Sequence, residues 1–74
     1  MREADKMFEE LYYEKRENEE EISFVNGDKE IMFDKKKKVF TGEQFTPSGM
    51  FVMPVFTMEE LKAIYKQCED LGWI

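Results

Sequence analysis

Seventy-four residues with 42% hydrophobic and 38% charged side chains make a single domain, residues 1–74, whose core is thin because a chain this short buries only about 60% of its unfolded surface. The absence of histidine removes the commonest general base and metal ligand, and the lone Cys68 excludes an internal disulfide. A net charge of −6 disfavours bare nucleic acid and anionic lipid as direct partners.

In chain order, the first periodic segment predicts a helix over Arg2–Tyr12. Ala4, Met7, Phe8, Leu11 and Tyr12 fall at i, i+3, i+4, i+7 and i+8, one apolar face. Glu3 and Asp5 in its first turn suit the helix dipole. Tyr13–Glu17 reads either as a short strand or as the lead-in to one. Asn18–Glu20 is a polar turn, and Glu21–Val25 reads as a strand with Ile22 and Phe24 on one face.

Asn26-Gly27 is a strong hairpin signal, since both residues tolerate the positive φ of a type I′ turn. Lys29–Asp34 is the returning strand, with Ile31 and Phe33 on one face. A two-residue loop at Asn26-Gly27 sets Ile22 opposite Ile31, and a four-residue loop sets Phe24 opposite Ile31 and Ile22 opposite Phe33. Both keep the four apolar residues on one face, whereas a three-residue loop splits them and is rejected. Asp34–Lys38 is the next turn, its lysines a solvated tip that discourages edge pairing rather than a phosphate site. Val39–Thr41 is a third strand whose parity the lysine turn leaves open.

Gly42–Gly49, with Pro47 and Ser48, is the segment expected to form a mobile loop. Met50–Phe56 has no polar side chain and is interrupted by Pro54, so it reads as an edge strand or one that ends at Met53. Thr57 and Glu60 then form a T-x-x-E capping box, with Phe56 and Leu61 at hydrophobic-staple spacing. Leu61, Ile64, Tyr65, Cys68 and Leu71 make the apolar stripe of the last helix, and Gly72 stops it. Cys68 on that stripe reads as a small buried hydrophobe. The order α-β-β-β-β-α predicts an α+β fold, a small antiparallel sheet of about four strands with both helices on one face.

The expected core is Phe8, Leu11, Ile22, Phe24, Ile31, Phe33, Leu61, Ile64 and Leu71. Phe8-Glu9-Glu10-Leu11-Tyr12-Tyr13 is echoed by Cys68-Glu69-Asp70-Leu71-Gly72-Trp73, which reads as two similar helix ends packed side by side.

Little in this chain has the pattern of chemistry. Ser23 lies mid-strand and Ser48 has no base near it in sequence. Gly42 and Gly49 follow no phosphate-loop spacing. Glu17, Glu19, Glu20 and Glu21 lack the spacing and central glycine of a calcium loop. No catalytic residue, metal site, cofactor or small-molecule substrate is expected. With no secretory apolar region and no apolar run of about 18 residues, a cytoplasmic protein without a membrane partner is expected.

Ala4-Asp5-Lys6-Met7-Phe8-Glu9-Glu10-Leu11, Tyr13-Glu14-Lys15, Lys29-Glu30-Ile31-Met32-Phe33-Asp34, Thr57-Met58-Glu59-Glu60-Leu61-Lys62-Ala63-Ile64 and Leu71-Gly72-Trp73-Ile74 together resemble a group of small uncharacterised proteins. These are encoded in phages, prophages and mobile elements of low-GC Gram-positive bacteria. The resemblance spans most of the chain except Gly42–Met53. It implies helices flanking a small sheet and a regulatory or host-interaction role, with no activity and no catalytic residues to carry over. A glycine often stands in that group where this chain has Tyr12, a departure that weakens the expected stop of the first helix.

The functional expectation is therefore protein–protein interaction, with a host protein or with a second copy. The residues expected to carry it are Phe45, Met50, Val52, Met53 and Pro54. Along an extended strand, Phe51, Met53 and Val55 share one side and Met50, Val52 and Pro54 the other. The alternative is an acidic inhibitor of a host nucleic-acid enzyme or defence system, its carboxylates imitating DNA phosphates. Mimicry predicts carboxylates in two rows; a binding module predicts an exposed apolar patch.

Overall fold

The computed structural model describes residues 2–74. Its elements are α1 (Glu3–Glu10), β1 (Glu14–Glu17), β2 (Glu21–Asn26), β3 (Lys29–Asp34), β4 (Val39–Phe45), β5 (Phe51–Val52) and α2 (Met58–Asp70). The strands form one antiparallel sheet in the order β1-β2-β3-β4-β5, and both helices flank one of its faces. The α+β fold and the small antiparallel sheet are as expected, and Glu14–Glu17, read either as a strand or as the lead-in to one, pairs along β2 as the fifth strand.

α1 is shorter than the predicted Arg2–Tyr12. It buries Ala4 and Phe8, while Tyr12 is 87% exposed and Tyr13 enters the core in its place. The chain stops by a Schellman motif: Tyr12 N–H donates to the Glu9 carbonyl at 2.9 Å and Tyr13 N–H to the Phe8 carbonyl at 3.0 Å. Tyr12 occupies the left-handed position, φ 67, where glycine is the usual residue. α2 ends in the same way, with Gly72 N–H donating to Glu69 and Trp73 N–H to Cys68, and Gly72 at φ 77. The sequence echo is therefore this shared stop. The two ends do not lie side by side: Asp70 accepts the Ala4 N–H at 3.2 Å, so the start of α1 meets the end of α2 in an antiparallel pair.

In the β2–β3 hairpin Ile22 pairs with Phe33 and Phe24 with Ile31, the second of the two predicted registers. Asn26 pairs with Lys29, however, so the loop is Gly27-Asp28 rather than Asn26-Gly27. Gly27 at φ 59 takes the first loop position, the pattern of a type II′ turn. Asn26 is held in the strand by its Nδ2, which donates to the Leu11 carbonyl at 3.2 Å. At the lysine turn Asp34 accepts the N–H groups of Lys36 and Lys37, each at 2.9 Å, and these hold its carboxyl below the usual range. Phe40 then pairs with Phe33 on the helix side, which settles the parity of β4.

Half of the expected mobile loop Gly42–Gly49 is strand, since β4 continues to Phe45. Gly42 belongs in the strand because the Phe56 ring lies where a side chain would project. Only residues 46–49 turn the chain into β5.

The capping box of α2 forms in both directions: Thr57 Oγ1 accepts the Glu60 N–H at 3.1 Å and Glu60 Oε1 accepts the Thr57 N–H at 2.7 Å. The buried face of α2 is nevertheless not the predicted stripe. Glu60, Ala63, Ile64 and Gln67 are buried, Cys68 and Leu71 are half-buried, and Leu61 and Tyr65 are exposed. Two features rotate the helix: Glu60 is tied to the sheet by polar bonds, and small Ala63 permits close approach.

The core joins Phe8, Tyr13, Ile22, Phe24, Ile31, Phe33, Ala63 and Ile64, with Leu11 and Leu71 packed at its margin. Phe8 stacks on Phe24 with ring centroids 3.9 Å apart, and Phe33 meets Phe8, Phe24, Phe40 and Trp73. Leu61 is the one expected core residue left exposed.

Candidate interaction surface

In a chain with 38% charged residues, no charged side chain occurs from residue 46 to residue 58. This stretch forms the β4–β5 turn, the edge strand β5, and the extended approach to α2. The turn is closed by Thr46, whose N–H donates to the Met50 carbonyl at 2.8 Å and whose Oγ1 accepts the Met50 N–H at 3.0 Å. Burial alternates along residues 51–56, as in an extended chain. Val52, Pro54 and Phe56 turn inward, with Phe56 over Gly42. Phe51, Met53 and Val55 turn outward.

Of the five residues expected at the site, Met53 is 83% exposed and Met50 is also exposed. Phe45 is exposed at the end of β4 and meets Phe51 edge-on, with centroids 5.7 Å apart. Val52 and Pro54 are half-buried, so the structure does not bring all five onto one exposed face. The outward set adds Phe51 and Val55. Strand alternation separates the two sets in the sequence, but Gly42 selects between them, and its role appears only when β4 and the approach to α2 lie together.

A second apolar area arises from the rotation of α2. Phe40, Tyr65 and Trp73, with Leu61 and Ile64, line an open hollow of about 370 Å³ between α2 and the start of β4. Lys38 is the one charged residue in its lining, and Cys68, whose thiol pKa is raised by burial, also borders it.

Lys29 and Glu60 anchor the helix layer beside this surface. Lys29 Nζ donates to both oxygens of Glu60, at 3.1 and 3.0 Å, and sits 5.2 Å from the centre of the Phe56 ring. Tyr13 donates its hydroxyl to Glu60 Oε2. Burial opposes the Glu60 charge, but the donors Tyr13, Thr57 N–H and Lys29 outweigh it and hold the carboxyl below its usual range. Tyr13 is pushed upward, by burial first and then by the hydrogen bond and charge of Glu60. The network ties Tyr13, β3 and the start of α2 together.

The sheet face away from the helices carries carboxylates. Strand register lines up Glu14, Val25, Glu30 and Glu43 in one row, with Glu30 directly opposite Glu43. Glu21 and Asp34 pair in a row four residues further along β3. Among the described residues no group of His, Cys, Asp and Glu is placed to hold a metal ion. No helix there is long and apolar enough to cross a membrane. Comparison with protein-family models, curated proteins and solved structures finds no match.

Proposed function

We propose that this chain acts by binding protein, as a small accessory protein of phage or prophage type working in the cytoplasm without catalysis. The observation that carries this reading is the uncharged surface around β5. Phe45, Met50, Phe51, Met53 and Val55 stand exposed there, in or beside a stretch that carries no charge of its own from residue 46 to residue 58. Methionine is over-used on adaptable binding surfaces because it is flexible and polarisable, and small soluble domains rarely concentrate exposed apolar side chains without use. The test is capture from host lysate with the wild type and a Met53→Lys variant. Met53 is exposed, so the substitution leaves the core intact. A partner held by the wild type and lost by the variant supports the reading; capture profiles unchanged by the variant overturn it.

The acidic rows of the open face favour a second reading, an imitation of DNA that inhibits a nucleic-acid enzyme. Like charges directly opposite in a ladder cost stability, and here Glu30 and Glu43 are so placed. Under mimicry a Glu30→Gln/Glu43→Gln variant folds more stably yet loses its partner, and capture by the wild type weakens as salt is raised. Under the leading reading the same variant keeps its partner.

A further inference from the structure

The two edges of the sheet are unlike, and the difference names an occupant for one of them. β1, one edge, is Glu14-Lys15-Arg16-Glu17, charged at every position. Its order of signs is the same in both directions. Two β1 edges paired antiparallel in full register would therefore set Glu14 against Glu17 and Lys15 against Arg16, like against like. Like charges directly opposite repel, so this edge disfavours full-register pairing with a copy of itself. β5, the other edge, lies in the uncharged stretch from residue 46 to residue 58.

Backbone geometry leaves β5 open to pairing. Thr46 N–H bonds the Met50 carbonyl, and Val52 is level with Gln44. In an antiparallel ladder alternate residues bond the same neighbour. Met50 and Val52 therefore address β4, and Phe51 turns its own N–H and C=O away from the sheet. Beyond Val52 the chain leaves the ladder: the Val55 N–H turns back to Gln44 Oε1 at 3.2 Å, so Pro54 lies outside the strand and takes no ladder position.

Resting on the protein-binding reading above, we infer that β5 pairs edge to edge with β5 of a second copy of this chain. The two five-stranded sheets join about a two-fold axis into one sheet of ten. The association is expected to close at two, because the edges left outermost are the two β1 strands, charged at every position and mismatched in full register. Phe51 and Met53 of each copy, flanked by Phe45, supply the apolar contact. At roughly 200 Å² for a fully exposed large side chain, the outward residues from Phe45 to Met58 leave on the order of 700 Å² per subunit. That is near the ~800 Å² per partner of a standard interface. Buried area does not fix affinity, so the dimer is sought across concentrations up to about 1 mM.

The test is sedimentation velocity of the synthetic chain, with and without a backbone N-methyl group at Phe51. The wild type is expected to pass from monomer to dimer with concentration and to form nothing larger. The methylated chain is expected to keep the wild-type circular dichroism and to stay monomeric. An Arg16→Gln variant at the other edge is expected to dimerise as the wild type does. A wild type that is monomeric up to about 1 mM, or that forms larger species, overturns the inference. So does a methylated chain that dimerises unchanged, and so does one that unfolds, since its N–H would then be needed inside the sheet. If the wild type is monomeric but still captures a partner that Met53→Lys loses, self-pairing is wrong while the protein-binding reading stands. If that capture is also absent, both fail.

Discussion

Replacing Glu60 by alanine removes more than a helix cap. Glu60 is 6% exposed and accepts from Tyr13, from the Thr57 N–H and twice from Lys29. Loss of a capping interaction alone costs about 1 kcal/mol. Lys29, whose side chain is 17% exposed, would be left with a partly buried, uncompensated charge. Breaking one side of a buried pair costs about 3–5 kcal/mol. A chain of this length has roughly 4–11 kcal/mol in all, so Glu60→Ala should bring it close to unfolding at 25 °C. Thr57→Ala removes only the cap and should cost about 1 kcal/mol. Urea denaturation followed by circular dichroism separates the two. A triple variant Glu60→Leu/Lys29→Met/Tyr13→Phe, which removes the three polar side chains together and leaves only the Thr57 N–H without its acceptor, should recover most of the loss beyond the cap. If Glu60→Ala and Thr57→Ala cost the same, the carboxylate is only a cap and the reasoning about Lys29 is wrong.

Tyr12→Gly should raise stability by about 1 kcal/mol by relieving the left-handed conformation of an exposed side chain, read as a higher urea midpoint. Gln67 is fully buried, and its Oε1 and Nε2 have no hydrogen-bond partner among the described residues. Gln67→Met should therefore stabilise by about 1–2 kcal/mol, and a loss of stability in the same titration would refute this. The depressed pKa of Glu60 contributes stability that is full above the unfolded value of 4.5 and is lost as pH falls through the lower folded value, so Glu60→Gln should flatten the acid limb of stability against pH. Tyr13 is shifted the other way. Its contribution is full below 10.0 and is lost at higher pH, so its phenolate absorbance should appear only as the fold is lost in base.

Much of the architecture was legible because it rests on local spacing. The capping box at Thr57 and Glu60, the alternation of Ile22, Phe24, Ile31 and Phe33, and the stop at Gly72 each depend on residues close in sequence. So does the separation of residues 51–56 into two sets. The fully charged edge Glu14–Glu17 and the uncharged stretch before α2 could also be read directly, as composition.

Tertiary structure decided the rest, because each remaining question turned on contact between distant segments. The apolar periodicity of α2 favoured Leu61 and Tyr65, but Tyr13 and Lys29 bind Glu60 and turn that residue inward. Gly42 looked like part of a loop until Phe56 was found over it. Tyr12 carries the left-handed stop that glycine usually makes, because Tyr13 and Phe8, both buried, fix the backbone on either side. The outward set at β5 was chosen by the same Phe56–Gly42 contact. Short-range pattern records which faces a segment can offer; burial of one face against a particular neighbour determines which face is used.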